Sequence, residues 1–236
     1  MFCGYDTLEG ANHTDVEGHP MRCKRWTCEL CQPLRCAQLR ELASSGKPNV
    51  FITLTASDEC GDDPDQIARG LVRAWRDIIQ RGRREGRWSK PQYLCVFEET
   101  RRHRPHLHIL WRGPYIPQKW LSERMDQYMA SPIVYVEAVR NRARAASYVA
   151  KYVSKAPWRW KGTKRYWRSM KWRLHEVAWR DNAQRPWRTW MRIQAMAGTR
   201  AADLAARGWT VIACGERGYR ATPPHGEWRP PGPQYG

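Results

Sequence analysis

The chain has 236 residues, with 41 Lys and Arg against 23 Asp and Glu, a formal net charge of +18. Its 42% hydrophobic content is enough for a packed core, which excludes a disordered basic tail, and no run of about 18 apolar residues could span a membrane. The opening MFCGYDTLEG lacks the basic-then-apolar pattern of a secretory leader, and so wide a positive field favours a polyanion, nucleic acid before small acidic metabolites.

In chain order, residues 1–20 carry Asp6, Glu9, Asp15 and Glu17 and no Lys or Arg. Cys3 to Cys36 is Cys-rich with little apolar periodicity, and residues 33–45 predict a helix closed by Gly46 and Pro48. VFITLTAS at 50–57 alternates and is β-branched, so it predicts a strand. An acidic loop (58–65) leads to a helix over about 65–81, with Ile67, Leu71, Trp75 and Ile78 on one face. Tyr93–Glu99 and His106–Trp111 predict two strands joined by an Arg-rich turn. Residues 117–129 predict a helix, 133–139 a strand and 142–155 a helix. Beyond Pro157 an irregular Trp/Arg segment is expected, then helix around 187–206, and from Thr222 an extended or flexible Pro-rich tail. Residues 140–192 hold 16 Lys and Arg against Glu176 and Asp181, together with seven of the 14 Trp. Such interleaving fits a groove for single-stranded nucleic acid, and equally a basic helical domain with Trp in its core.

Three local patterns carry chemistry. In Arg104-Pro105-His106-Leu107-His108, a strand puts His106 and His108 on one face, where Glu98 or Glu99 from the preceding strand could complete a divalent-metal site. His103 is a further candidate ligand, and an H-x-H pair alone is as often a packing pair. In Ser147-Tyr-Val-Ala-Lys-Tyr-Val-Ser-Lys155, Tyr148 and Tyr152 share a helix face, beside a second i,i+4 pair, Lys151 and Lys155. A phenol attacks phosphorus only with help from a metal and neighbouring cations; the plain alternative is an amphipathic helix. Cys23-x4-Cys28-x2-Cys31, with Cys3 upstream and Cys36 downstream, supplies enough thiolates for a structural zinc. Cys60, Cys95 and Cys214 are expected to be ordinary thiols.

RPHLHIL followed by YVAKYVSK resembles the HUH endonucleases, the rolling-circle replication initiators (Rep) of small phages and plasmids, and FITLTAS resembles their first motif. The Y-x-x-K-Y spacing is similar to the two-tyrosine branch, particularly the gene A replication proteins of microviruses. The likeness spans roughly residues 20–170. It implies an α+β, RRM-like HUH fold with an antiparallel sheet of about five strands and the histidines on a central strand. Helices would pack on one sheet face, the tyrosine helix would cross the metal site, and an N-terminal zinc-binding module would precede the core. It also implies Mg²⁺ or Mn²⁺ on His106, His108 and Glu98, with Glu99 the close alternative, Tyr148 and Tyr152 as nucleophiles, and Lys151 and Lys155 steadying the phosphate. A similar Cys knuckle in phage and plasmid initiators implies Zn²⁺ on Cys3, Cys23, Cys28 and Cys31, with Cys36, His13 or His19 as substitutes. The turn at Thr100–Pro105 lacks the glycine that relatives often carry. Its Arg101, Arg102 and Arg104, with Lys164, Arg165 and Arg168 behind the tyrosine helix, are expected to meet DNA.

The organisation expected is then a zinc module and helix over 1–46, an HUH core over 47–157, a basic Trp/Arg extension over 158–221 and a tail over 222–236. The implied activity is nicking and rejoining of single-stranded origin DNA in the cytoplasm of a bacterial host, through a 5′-phosphotyrosine. Host helicase and polymerase would be partners, since no G-x-x-x-x-G-K-S/T loop occurs in these residues. Three other classes stay in view: a relaxase or transposase with the same chemistry, a non-catalytic zinc-containing nucleic-acid-binding protein, and a metal-dependent hydrolase without a covalent intermediate.

Overall fold

The computed structural model describes residues 3–12, 14–139, 158–172, 189–214 and 218–224. The chain divides into two compact units, one of residues 36–176 and one in which residues 1–35 join 177–236. The boundary falls inside helix α1 (Gln32–Ser45). Each unit is built on a five-stranded sheet, so the molecule is α+β with two antiparallel sheets where one was expected.

The larger unit holds β3 (Val50–Thr55), α2 (Pro64–Arg84), β4 (Gln92–Glu99), β5 (Pro105–Arg112), α3 (Gln118–Met129), β6 (Val134–Ala138) and β7 (Tyr166–Arg168). The order β6-β3-β5-β4-β7 places β5 at the centre. Alternation sorts the side chains by face. Ile52, Leu54, Cys95, Phe97, Leu107, Ile109 and Trp111 point to the side where α2 and α3 contribute Ile67, Leu71, Trp75, Ile78, Leu121 and Met125 to one buried core. These strands and helices appear within a few residues of their predicted ends, and the helix expected over 142–155 lies outside the described residues.

α2 starts where Asp63 caps it, the carboxylate accepting the Asp65 N–H at 2.9 Å, with Pro64 at the first helical position. Its buried residues follow helical spacing, and Arg81, Arg83 and Arg84 fall in the last turn, where cations complement the helix dipole. Gly82 is required by packing. A Cβ there would stand 1.9 Å from the ring of Trp88, whose Nε1–H donates to the Ile79 carbonyl at 3.1 Å. Trp75, Trp88, Trp111 and Trp120 meet edge to face in this core. Of the seven Trp in the basic stretch, Trp160 and Trp172 are also buried and Trp158 is exposed. For Trp160 and Trp172, the core reading of the composition therefore holds.

The second unit holds β1 (Thr7–Ala11), β2 (Val16–Pro20), β8 (Thr189–Ile193), α4 (Ala197–Ala206), β9 (Thr210–Ala213) and β10 (Tyr219–Thr222), in the order β8-β1-β2-β10-β9. The β1–β2 hairpin pairs on both sides with strands from the far end of the chain, β8 and β10. Ala11, Val16, Leu204, Tyr219 and Ala221 form its small core. Strands here were not expected, and 189–193 is strand where helix was predicted. Their partners lie some 180 residues away and their sequences are short and Gly-containing, so no local period marks them.

Candidate metal and nuclease site

β4 and β5 pair in antiparallel register, with Glu98 opposite His106 and Val96 opposite His108; on the other side Thr53 of β3 is opposite His108. Glu98, His106, His108, Thr53 and Thr55 therefore share the sheet face opposite α2 and α3. Glu98 reaches diagonally, its Oε2 2.6 Å from His108 Nε2, while Thr53 Oγ1 lies 3.0 Å from His108 Nδ1. A carboxylate only accepts, so His108 Nε2–H donates to Glu98, and in the neutral ring Nδ1 accepts from the Thr53 hydroxyl. The Phe51 ring stacks on His108 with centroids 5.3 Å apart. These contacts fix the ring in place. His106 stands edge-on to His108 at 6.3 Å between centroids. Burial and the neighbouring His108 hold its imidazole pKa below the usual value, against the pull of Glu98, which favours the neutral, ligand-competent form.

Glu99 turns away from this group. It pairs at 2.7 Å with His103 Nδ1, an exposed side chain in the β4–β5 turn. With no glycine in that turn, His103 itself takes the left-handed conformation, φ 55°. Arg101 and Arg102 are exposed there, but Arg104 is held: its Nη2 donates to the Ser57 carbonyl at 2.7 Å, and Asp58 and Asp62 lie 3.9 and 3.8 Å from its guanidinium. Lys164 and Arg168 are exposed at and beside β7, Arg165 is half-buried, and Arg168 donates to the Trp172 carbonyl. Tyr148, Lys151, Tyr152 and Lys155 lie outside the described residues.

The donor set can be tested for fit to Mg²⁺ or Mn²⁺. One carboxylate and two imidazoles suit such an ion, but cis ligands at about 2.1 Å from it stand about 3 Å apart. The Glu98–His108 pair would open by a few tenths of an ångström and His106 would turn toward it. Thr53 and Phe51, which orient His108, were not singled out in the sequence, although the alternation of FITLTAS places both on this face.

In the other unit the hairpin continues past its strands: Met21 N–H bonds to the Asp6 carbonyl and Gly4 N–H to that of Met21, which sets Cys3 beside Cys23. Cys28 and Cys31 sit in the turn that opens α1, where the N–H groups of Cys31 and Gln32 bond to the Cys28 carbonyl. The four sulfurs lie within 4.8 Å of one another, with Cys3–Cys31 at 3.3 Å and Cys23–Cys31 at 3.8 Å. Tetrahedral Zn–S bonds of about 2.3 Å imply sulfurs about 3.8 Å apart, so the quartet is compatible with zinc. The Cys31 N–H aimed at its sulfur pulls the Cys28 thiol down to about 7, and burial pushes the Cys31 thiol up to about 12. Cys36 is buried on α1 outside the quartet, His19 bonds to Glu17 at 2.9 Å, and His13 lies outside the described residues. Cys95 is fully buried, as expected of an ordinary thiol.

Residues 49–157, just under half of the chain, match the model of a family of replication-associated proteins of the ORF2 type. No curated protein and no solved structure matches. The match begins at β3 and takes in both histidines, Glu98 and the tyrosine segment, and it supports a rolling-circle replication initiator. Among the described residues no helix is long and apolar enough to cross a membrane.

Proposed function

We propose that a replication-associated chain with this site nicks and rejoins single-stranded origin DNA through a tyrosyl intermediate, as the two-tyrosine HUH enzymes do. The observation that carries the reading is Glu98, His106 and His108 on one face of a central hairpin, within the segment that matches the replication family. Glu98, His106 and His108 would hold the divalent ion. When bound, it supplies positive charge at the scissile phosphate. Thr53 and Phe51 keep His108 oriented, so that little reorganisation is needed when the DNA arrives.

Tyr148 or Tyr152 attacks phosphorus; the O–P bond forms as the P–O3′ bond breaks, and the phenolic proton is passed to the departing 3′ oxygen. Lys151 and Lys155 offset the phenolate and phosphorane charge. The phosphodiester energy is kept in the 5′-phosphotyrosine, so a later 3′-hydroxyl attack restores the DNA bond without a nucleotide cofactor. The second tyrosine can cut a regenerated origin while the first holds its end. The 3′-hydroxyl would be extended by a host polymerase behind a host helicase, in the cytoplasm of a bacterium. RRM-like topology, a sheet face carrying the site with helices on the other, is part of the same proposal.

An origin oligonucleotide mixed with the protein and Mn²⁺ should give a denaturation-resistant protein–DNA adduct, lost in the double variant Tyr148→Phe, Tyr152→Phe. An adduct that survives this change would refute the assignment of the nucleophile.

A further inference from the structure

Helix α2 has a second face that neither the core nor the metal site uses. At about 100° per residue, Arg69, Arg73, Arg76, Gln80, Arg83 and Arg84 fall in one arc roughly 100° wide, diametrically opposite the buried Ile67, Leu71, Trp75 and Ile78. Arg73, Arg76, Arg83 and Arg84 are exposed. The ion pairs of this region go elsewhere: Glu85 takes Arg81 and Arg87, and Asp63 lies 3.8 Å from Arg69. Asp77 borders the stripe, yet among the described residues no carboxylate comes within 4.0 Å of Arg73, Arg76, Arg83 or Arg84. The stripe lies across the sheet from Glu98, His106 and His108, because α2 packs on the opposite face.

Four uncompensated guanidinium groups on a rigid helix are costly as self-repulsion and match a polyanion of fixed spacing. From residue 73 to 84 the helix rises about 16 Å, close to five nucleotide steps of one strand at about 3.4 Å each. The stripe has no exposed aromatic side chain: Gln80 is its uncharged member and Trp75 is turned wholly into the core. Single-strand platforms depend on rings that stack on bases. A ring-free row of cations instead reads a backbone whose bases are already stacked on each other.

We propose that this arginine stripe docks on the phosphate backbone of duplex DNA, holding the double-stranded flank of a substrate while the opposite face works on a single strand. The choice of DNA rests on the replication reading; the duplex surface itself does not depend on nicking. The test compares wild type with the variant Arg73→Gln, Arg76→Gln, Arg83→Gln, Arg84→Gln, and with the matching fourfold Arg→Lys variant. Each is titrated with a 20-base-pair duplex of unrelated sequence and with a single-stranded oligonucleotide, across a range of salt concentrations. The Gln variant should bind duplex roughly tenfold or more weakly at about 0.1 M salt, with a log–log salt slope smaller by about 3 to 4. The Lys variant should keep most of the slope, and single-strand binding and adduct formation should be unchanged in both. Unchanged duplex affinity and slope in a folded Gln variant would overturn the proposal. So would an equal loss on both probes, which would make the stripe a part of the general positive field. Absence of adduct in wild type would sink the nicking reading and leave the duplex result standing.

Discussion

Glu98 and Glu99 are adjacent in sequence and point to opposite faces of β4. Glu98 shares a face with His106 and His108, while Glu99 is paired with the exposed His103 in the turn. Under the proposed mechanism, Glu98→Gln should lower metal-dependent adduct formation by about 100-fold, because it removes an anionic ligand and the partner of His108. Glu99→Gln should leave it within about twofold; a reversed order would move the acidic ligand to Glu99. The sequence left this pair open because a strand boundary placed one residue earlier or later swaps the two faces. The histidines were legible from i,i+2 spacing alone. Thr53 was legible only as a member of an alternating strand, since its bond to His108 depends on the register between β3 and β5. The positioning role of Arg104 was hidden for a similar reason: an arginine in a basic turn looks free until the fold brings the Ser57 carbonyl to it.

At the scale of elements, those with a strong period were foreseen and those without were not. α2 repeats its apolar positions over 21 residues, and β3, β4 and β5 alternate or run apolar. β1 and β2 carry Gly10 and Gly18 within five-residue strands and gain their stability from β8 and β10. The Cys spacing, by contrast, gave the quartet without the hairpin that assembles it. One equivalent of zinc is expected per chain, with Cys28→Ser and Cys31→Ser each losing it and lowering the unfolding midpoint; metal content and thermal denaturation check this. The end of α2 offers a pH test. Glu85 accepts from Arg87, Arg81 and Trp120 Nε1 at 2.8, 2.6 and 2.9 Å, and these bonds pull its carboxyl from the usual 4.5 to about 2. A lowered folded pKa stabilises above the unfolded value, and the contribution is lost as pH falls through the folded one. Wild type should therefore exceed Glu85→Gln in urea midpoint above about pH 4.5, with the gap closing toward pH 2. A gap that widened on acidification would refute the assignment.

Across the whole molecule, the uneven charge has two uses. The acids of residues 1–20 are joined to arginines from the other end of the chain: Asp6 to Arg192, Glu9 to Arg200 and Asp15 to Arg220. What reads in the sequence as a −4 start and a basic remainder is in part internal neutralisation, which closes one sheet from two distant segments. The remaining excess is free to act outward, as it does along α2. These three links differ in depth, so their energies should rank. Glu9 is buried among Arg200, at 2.9 Å, and the Tyr219 hydroxyl, which donates to it across Gly18; a Cβ at Gly18 would stand 2.2 Å from the Tyr219 ring. Burial and the Glu9 carboxylate keep the Tyr219 phenol protonated well above its usual range. Glu9→Ala would leave that hydroxyl without its acceptor and Arg200 with Asp203 as its acidic partner, at a cost of about 2–4 kcal/mol. The Asp6–Arg192 pair is more exposed on its arginine side, and Asp6→Asn should cost about 1 kcal/mol or less. Asp15→Asn should fall between them, since the carboxylate is buried while Arg220 is largely in water. Denaturant unfolding of the three variants at low and high salt checks the order, with the Asp6 effect the most reduced by salt. An Asp6 change as costly as that of Glu9 would mean that surface charge, and not the buried cluster, holds the two chain ends together.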